Sequence, residues 1–184
     1  MDKPLSELAT DVKKAAILAA RRGAATVMNN LAEAGPNWSG KFSQSWYAEA
    51  PNGQAPVRYG QFEGRDYNLW NVPRFNAETV VDPQILIGNF STHAQEAMDL
   101  IPGTFIYPGY EPEGEAEVGI RLSDIRGDLG NRSGTRANNR RTAPLDWYTT
   151  YMEGGDFDRD FQHGASIGFA DAGRPGGAKE DSLQ

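Results

Sequence analysis

Cysteine is absent from the 184 residues, so the chain can form no disulfide, hold no thiolate-bound zinc and use no cysteine nucleophile. Histidine is almost as scarce: His93 and His163 stand far apart in the chain, which leaves no imidazole cluster for a metal. No apolar run approaches the roughly 18 residues of a membrane span, and Met1-Asp2-Lys3-Pro4 has neither the basic nor the apolar region of a secretory signal. The expectation is a soluble protein with no membrane partner, not exported by that route. Basic residues are in the minority as well, 18 Lys and Arg against 25 Asp and Glu for a net charge of −7. General coating of DNA is therefore disfavoured, because it depends on cations replacing counterions along phosphate. Hydrophobic residues supply only 39%, while 21 Gly and 11 Pro exceed the usual share, a balance that predicts a modest core with long loops or arms.

What is present begins with a helix. Pro4 suits a first helical turn, and Leu5, Leu8, Val12, Ala15, Ala19, Gly23, Val27 and Leu31 recur at three- and four-residue steps up to the stop at Gly35-Pro36. The spacing predicts one helix over 4–34. Ala15, Ala16, Ala19, Ala20, Gly23, Ala24 and Ala25 thin its middle, so another backbone can approach closely there, whether a sheet or a second helix. Residues 41–49 alternate as a half-buried strand with Phe42 and Trp46 toward the core; Thr79-Val80-Val81, 84–88 and 103–107 read as further strands. Residues 57–75 read as an aromatic loop or hairpin whose rings need burial, 92–100 and 144–152 as short helices, and the chain from Asp171 as a disordered end.

Charge is segregated. Between Asn76 and Glu117 there are eight acidic residues and no Lys or Arg; from Val118 to Thr142 come Arg121, Arg126, Arg132, Arg136, Arg140 and Arg141 against only Asp124 and Asp128. Blocks of opposite sign can pair between copies of a chain, or simply remain solvated. The division that follows is an α+β core over 1–118 with an aromatic insert near 51–78, an Arg/Gly-rich extended arm over 119–143, and a C-terminal segment over 144–184 with a flexible tail.

Several motifs resemble catalytic ones and fail on context. Gly35 to Lys41 has the spacing of a phosphate-binding loop, but Phe42 takes the hydroxyl position and the loop follows a helix instead of a strand. Gly164-Ala165-Ser166-Ile167-Gly168 matches a nucleophile elbow, yet no buried strand precedes it and both histidines lie before the serine. Asp156, Asp158 and Asp160 are spaced like calcium ligands, but Phe161 and Ile167 replace the required glycine and glutamate. Glu111, Glu113, Glu115 and Glu117 would share one side of an extended chain. The arginine stretch has no aromatic residue between Val118 and Asp146 on which bases could stack. No catalytic residue, metal ligand or cofactor is assigned. The enzymatic alternative is a small metal-dependent hydrolase using Asp156, Asp158, Asp160 and His163.

Trp38-Ser39-Gly40-Lys41-Phe42-Ser43-Gln44-Ser45-Trp46, preceded by a long Ala-rich helix, resembles the tailed-bacteriophage neck and tail-completion proteins of the minor-tail Z type. Ile87-Gly88-Asn89-Phe90-Ser91-Thr92-His93-Ala94-Gln95-Glu96-Ala97-Met98 is similar to a later segment of that family, with His93 in place of the usual tyrosine. The resemblance covers about residues 4–50 and 80–107; the aromatic insert, Leu100-Ile101-Pro102-Gly103 and the arginine stretch depart from it. It implies an α+β subunit, a long N-terminal helix packed on a small antiparallel sheet, with no enzymatic step. It also implies assembly as a homo-oligomeric ring at the head-to-tail junction of a virion, as neck, tail terminator or tail completion. Partners would be neighbouring connector or tail proteins, with DNA only as passing cargo. Phe42 and Trp46 are then core or interface anchors, Arg136, Arg140 and Arg141 contacts with a neighbour, and Glu111 to Glu117 an acidic lumen face. Another virion interaction role, in a baseplate, fibre attachment or capsid stabilisation, is the alternative within the same class.

Overall fold

The computed structural model describes residues 4–36, 40–61, 65–92, 94–98 and 147–173. The fold is α+β: a long N-terminal helix, a small antiparallel sheet and further helices. Helix α1, Leu5–Ala34, starts where Pro4 O accepts from the Glu7 and Leu8 amides and ends where Gly35 N donates to Leu31 O at 3.1 Å. Gly35 is required by space and not by its torsions. A Cβ there would lie 2.8 Å from the Phe42 ring and 3.0 Å from that of Trp147.

Residues 41–49 correct the expected single strand. Gly40 adopts φ 80°, a left-handed conformation open to glycine, and turns the chain into a one-turn helix α2, Lys41–Gln44. Ser43 Oγ donates to Gly40 O and Ser45 Oγ to Lys41 O, so the two serines that suggested alternation serve the turn instead. Strand β1 is only Trp46–Glu49, paired antiparallel with β2, Leu86–Asn89, in the register Trp46↔Asn89 to Glu49↔Leu86. Thr79-Val80-Val81 is a second correction: Asn76 Oδ1 accepts from Glu78 N and Asn76 O from Val80 N, which closes a turn in place of a strand and leaves Val81 exposed.

Trp46 and Ala48 point inward onto α1, where Val27, Met28 and Leu31 are buried against them in the main core. The aromatic insert contributes a 3-10 turn, Leu69–Asn71, capped by Asn68, and is tied to α1 by paired bonds between Asn29 and Tyr67. Arg21, buried on the same helix, donates to Leu69 O at 2.9 Å. Tyr67 is buried as expected of the insert's rings, whereas Tyr59 and Trp70 are not. Helix α3, Ala94–Met98, follows β2.

The C-terminal segment belongs to the same packing. Helix α4, Trp147–Glu153, puts Trp147 against Phe42 and donates its indole N–H to Ala97 O. Helix α5, Asp156–Ala172, which extends past the expected boundary at Asp171, runs antiparallel to α1 at backbone contact. A Cβ on Gly164 would fall 2.8 Å from Gly23 Cα, and one on Gly168 2.6 Å from Ala19 Cα. The thin middle of α1 therefore receives a helix. Arg22 and Asp171 pair across this crossing at 3.2 Å.

Two buried phenols couple this core to pH. Burial pushes the Tyr67 hydroxyl well above its ordinary value near 10, against bonds from the Trp46 and Gln61 backbones that pull it down. Burial, with the adjacent Asp160 carboxylate, does the same to Tyr151. Both must stay neutral in the folded chain while the unfolded chain ionises, so stability is complete below about pH 10 and falls above it. The slope reaches at most ~1.4 kcal/mol per pH unit for each phenol. Urea unfolding between pH 9 and 11 should show this decline, and Tyr67→Phe combined with Tyr151→Phe should flatten it. Equal slopes in both proteins would show that neither phenol is responsible.

Candidate functional site

The two segments that carry the sequence resemblance, well separated along the chain, meet in the fold. Beyond the Trp46↔Asn89 pair, Asn89 Nδ2 donates to Phe42 O at 2.9 Å and Phe90 N to Ser45 O at 3.1 Å. Asn89 Oδ1 also accepts from Ser91 N, which turns the chain toward α3. One asparagine thus ties the α2 turn, the sheet and the start of the next helix. Trp38, Ser39 and His93 lie outside the described residues.

Of the two proposed anchors, Trp46 is a core residue, 1% exposed, and Phe42 is half-buried beside it. Phe42 meets Trp46 edge-on at 5.5 Å and Trp147 at 6.0 Å, so it joins the sheet to the C-terminal segment. Both rings lie within the subunit's own packing. Arg136, Arg140, Arg141 and Glu111, Glu113, Glu115 and Glu117 lie outside the described residues.

Among the described residues, two groups of apolar side chains are exposed together. Leu5, Leu8 and Val12 continue the stripe of α1 that carries Ala19 and Gly23 to α5, but α5 ends at Ala172 and leaves them exposed. On the outer face of the sheet the Tyr47 ring covers Gly88 and meets Phe90 at 6.1 Å, with Tyr59 54% and Leu86 and Phe90 each 57% exposed. The first surface was visible in the helical spacing. The second depends on the pairing of Glu49 with Leu86, which only the register reveals.

The catalytic-looking motifs of 156–168 lie in helix α5. Ser166 lies within α5 and donates back to His163 O at 2.7 Å, and its flanking glycines serve the helix crossing. Asp156, Asp158 and Asp160 are helical, so successive members point about 200° apart instead of converging. Asp160 is buried, accepting from Tyr151 Oη at 3.0 Å and from Arg159 Nε at 3.1 Å, while Arg159 also pairs with Asp156. This arrangement latches α4 to α5. Among the described residues no group of three His, Asp or Glu side chains is placed to hold a metal ion, and no helix is long and apolar enough to cross a membrane. Comparison of the chain with protein-family models, with curated proteins and with solved structures gave no match.

Proposed function

We propose that the chain is a structural virion subunit of a tailed phage, assembling as a ring at the head-to-tail junction through which DNA passes. The observation that supports this most is the union of the described parts of the two resembling segments, 38–46 and 87–98, through Asn89 and the β1–β2 pair beside α1. The exposed stripe of Leu5, Leu8 and Val12 and the outer sheet face suit a subunit that buries surface on neighbours. In such a ring Glu111, Glu113, Glu115 and Glu117 belong on the channel side, where carboxylates repel phosphate and let it pass without sticking. The Arg-rich arm meets an adjacent copy.

Light scattering and negative-stain imaging of the purified chain at low and moderate salt test this reading. Rings or salt-sensitive oligomers are expected. Replacing Arg136, Arg140 and Arg141 together by Ala should weaken assembly while thermal unfolding of the monomer stays within about 1 kcal/mol of the parent, as for charges away from a core. A chain that remains monomeric at both salts, even when concentrated, would overturn self-assembly. An equal loss of folding in the triple variant would place the arginines in the core.

A further inference from the structure

A cavity of about 270 Å³ opens beside the outer face of the sheet, lined by Glu49, Pro51, Pro56, Tyr59 and Leu86 among others. Its walls are fixed by backbone pairing. Glu49 stands opposite Leu86 at the end of the β1–β2 ladder. Gln54 and Arg74 exchange backbone bonds of 2.7 and 3.1 Å, which set the turn after β1, and Arg58 N donates to Trp70 O beside Tyr59. Arg74 is not itself among the lining residues. Among the described residues no lysine or arginine pairs with Glu49, whose side chain is exposed at the strand end.

The volume lies below the roughly 300–1,000 Å³ of small-molecule sites and suits one long side chain. Apolar proline and leucine walls accommodate a methylene stem, a half-exposed tyrosine ring accepts a planar cation on its face, and a carboxylate takes the charge. Arginine meets all three demands better than lysine, whose ammonium is more strongly hydrated and does not stack. The same chain concentrates Arg121, Arg126, Arg132, Arg136, Arg140 and Arg141 in one stretch. A hole on one copy that takes a side chain from a different stretch of a second copy makes a heterologous contact, the kind that propagates around a ring. We propose that this cavity receives an arginine side chain of residues 119–143 from a second copy of the chain. The proposal rests on the self-assembly reading above and names the contact.

The test uses the full chain and a labelled peptide copying residues 119–143, followed by fluorescence anisotropy at low salt. Saturable binding is expected, weakened roughly tenfold by Glu49→Gln and by Tyr59→Ala but little changed by Tyr59→Phe, which keeps the ring. A peptide with lysine at every arginine position should bind several-fold more weakly. Unchanged affinity in Glu49→Gln would mean attraction by general charge alone and would overturn the proposal. If the isolated monomeric fraction of the parent binds no peptide while the monomeric Arg136→Ala, Arg140→Ala, Arg141→Ala variant does, the arm fills its own cavity, which overturns the second-copy assignment. Rings that form equally well with Glu49→Gln, with no peptide binding, would sink this contact and leave the ring reading standing. Peptide binding with the expected variant pattern, in a chain that never assembles, would remove the ring reading and keep the arginine site.

Discussion

Gly168→Leu is expected to destabilise the chain by about 3 kcal/mol, lowering the thermal midpoint by roughly 6–12 °C. A glycine in an exposed helix interior is ordinarily a weakness, and replacing it with alanine gains about 1 kcal/mol. Here the sign reverses. The new Cβ would stand 2.6 Å from Ala19 Cα and 2.8 Å from Leu18 O, both backbone atoms that cannot rotate away. The two helices must separate, which also opens the contact of Gly164 with Gly23 and the Phe161 ring packed on Gly23. Ser166→Leu, on the exposed side of the same helix, is the control and should change stability little. Differential scanning of the three proteins decides the matter: a Gly168 variant as stable as the parent would mean that α5 does not lie at backbone contact with α1.

Trp46→Ala should cost about 3–5 kcal/mol, the usual range for emptying a buried aromatic site. Trp46 is 1% exposed and sits against Phe42 and the buried face of α1. Its indole N–H is buried with no acceptor among the described residues. Trp46→Phe removes that donor along with some volume, so the two effects oppose each other and the loss should be only about 1–2 kcal/mol. Urea unfolding of the alanine variant separates the two roles of this residue. A large loss in the isolated subunit makes it a core anchor. Unfolding like the parent, together with failure to assemble, would make it an interface residue.

The legible parts of the sequence were those governed by local rules. Helix α1 follows from the step pattern of Leu5 to Leu31, Pro4 at one end and Gly35-Pro36 at the other. The strand at Leu86–Asn89 and the short helices after Ser91 and near Trp147 followed from similar signals, each a residue or a few from its expected limit. Where local and tertiary demands conflict, the reading failed. The alternation from Lys41 to Glu49 is real, but Gly40 in its left-handed conformation and the serine bonds to Gly40 O and Lys41 O make its first half a helical turn. Helix α5 was missed because Asp156, Asp158 and Asp160 were weighed as calcium-type ligands and Gly164 to Gly168 as a nucleophile elbow. Those glycines make sense only together with Ala19 and Gly23, a pairing across most of the chain that no local window contains. For the candidate site, the outward apolar stripe of α1 was readable from spacing. The cavity beside Glu49 was not, since it arises from a turn, a strand end and the aromatic insert converging.

The crossing of α1 and α5 also constrains how the chain can be made. Its contacts join residues about 140 positions apart, and closing so long a loop costs on the order of 4 kcal/mol before any contact repays it. During synthesis at ~5–20 residues per second, α1 leaves the ribosome many seconds before α5 exists to cover Ala19 and Gly23. Through that interval the small-residue face of α1 stays open to other chains. Native folding is therefore completed after α5 has emerged, and a nascent chain stalled before Asp156 would be the species most exposed to wrong partners.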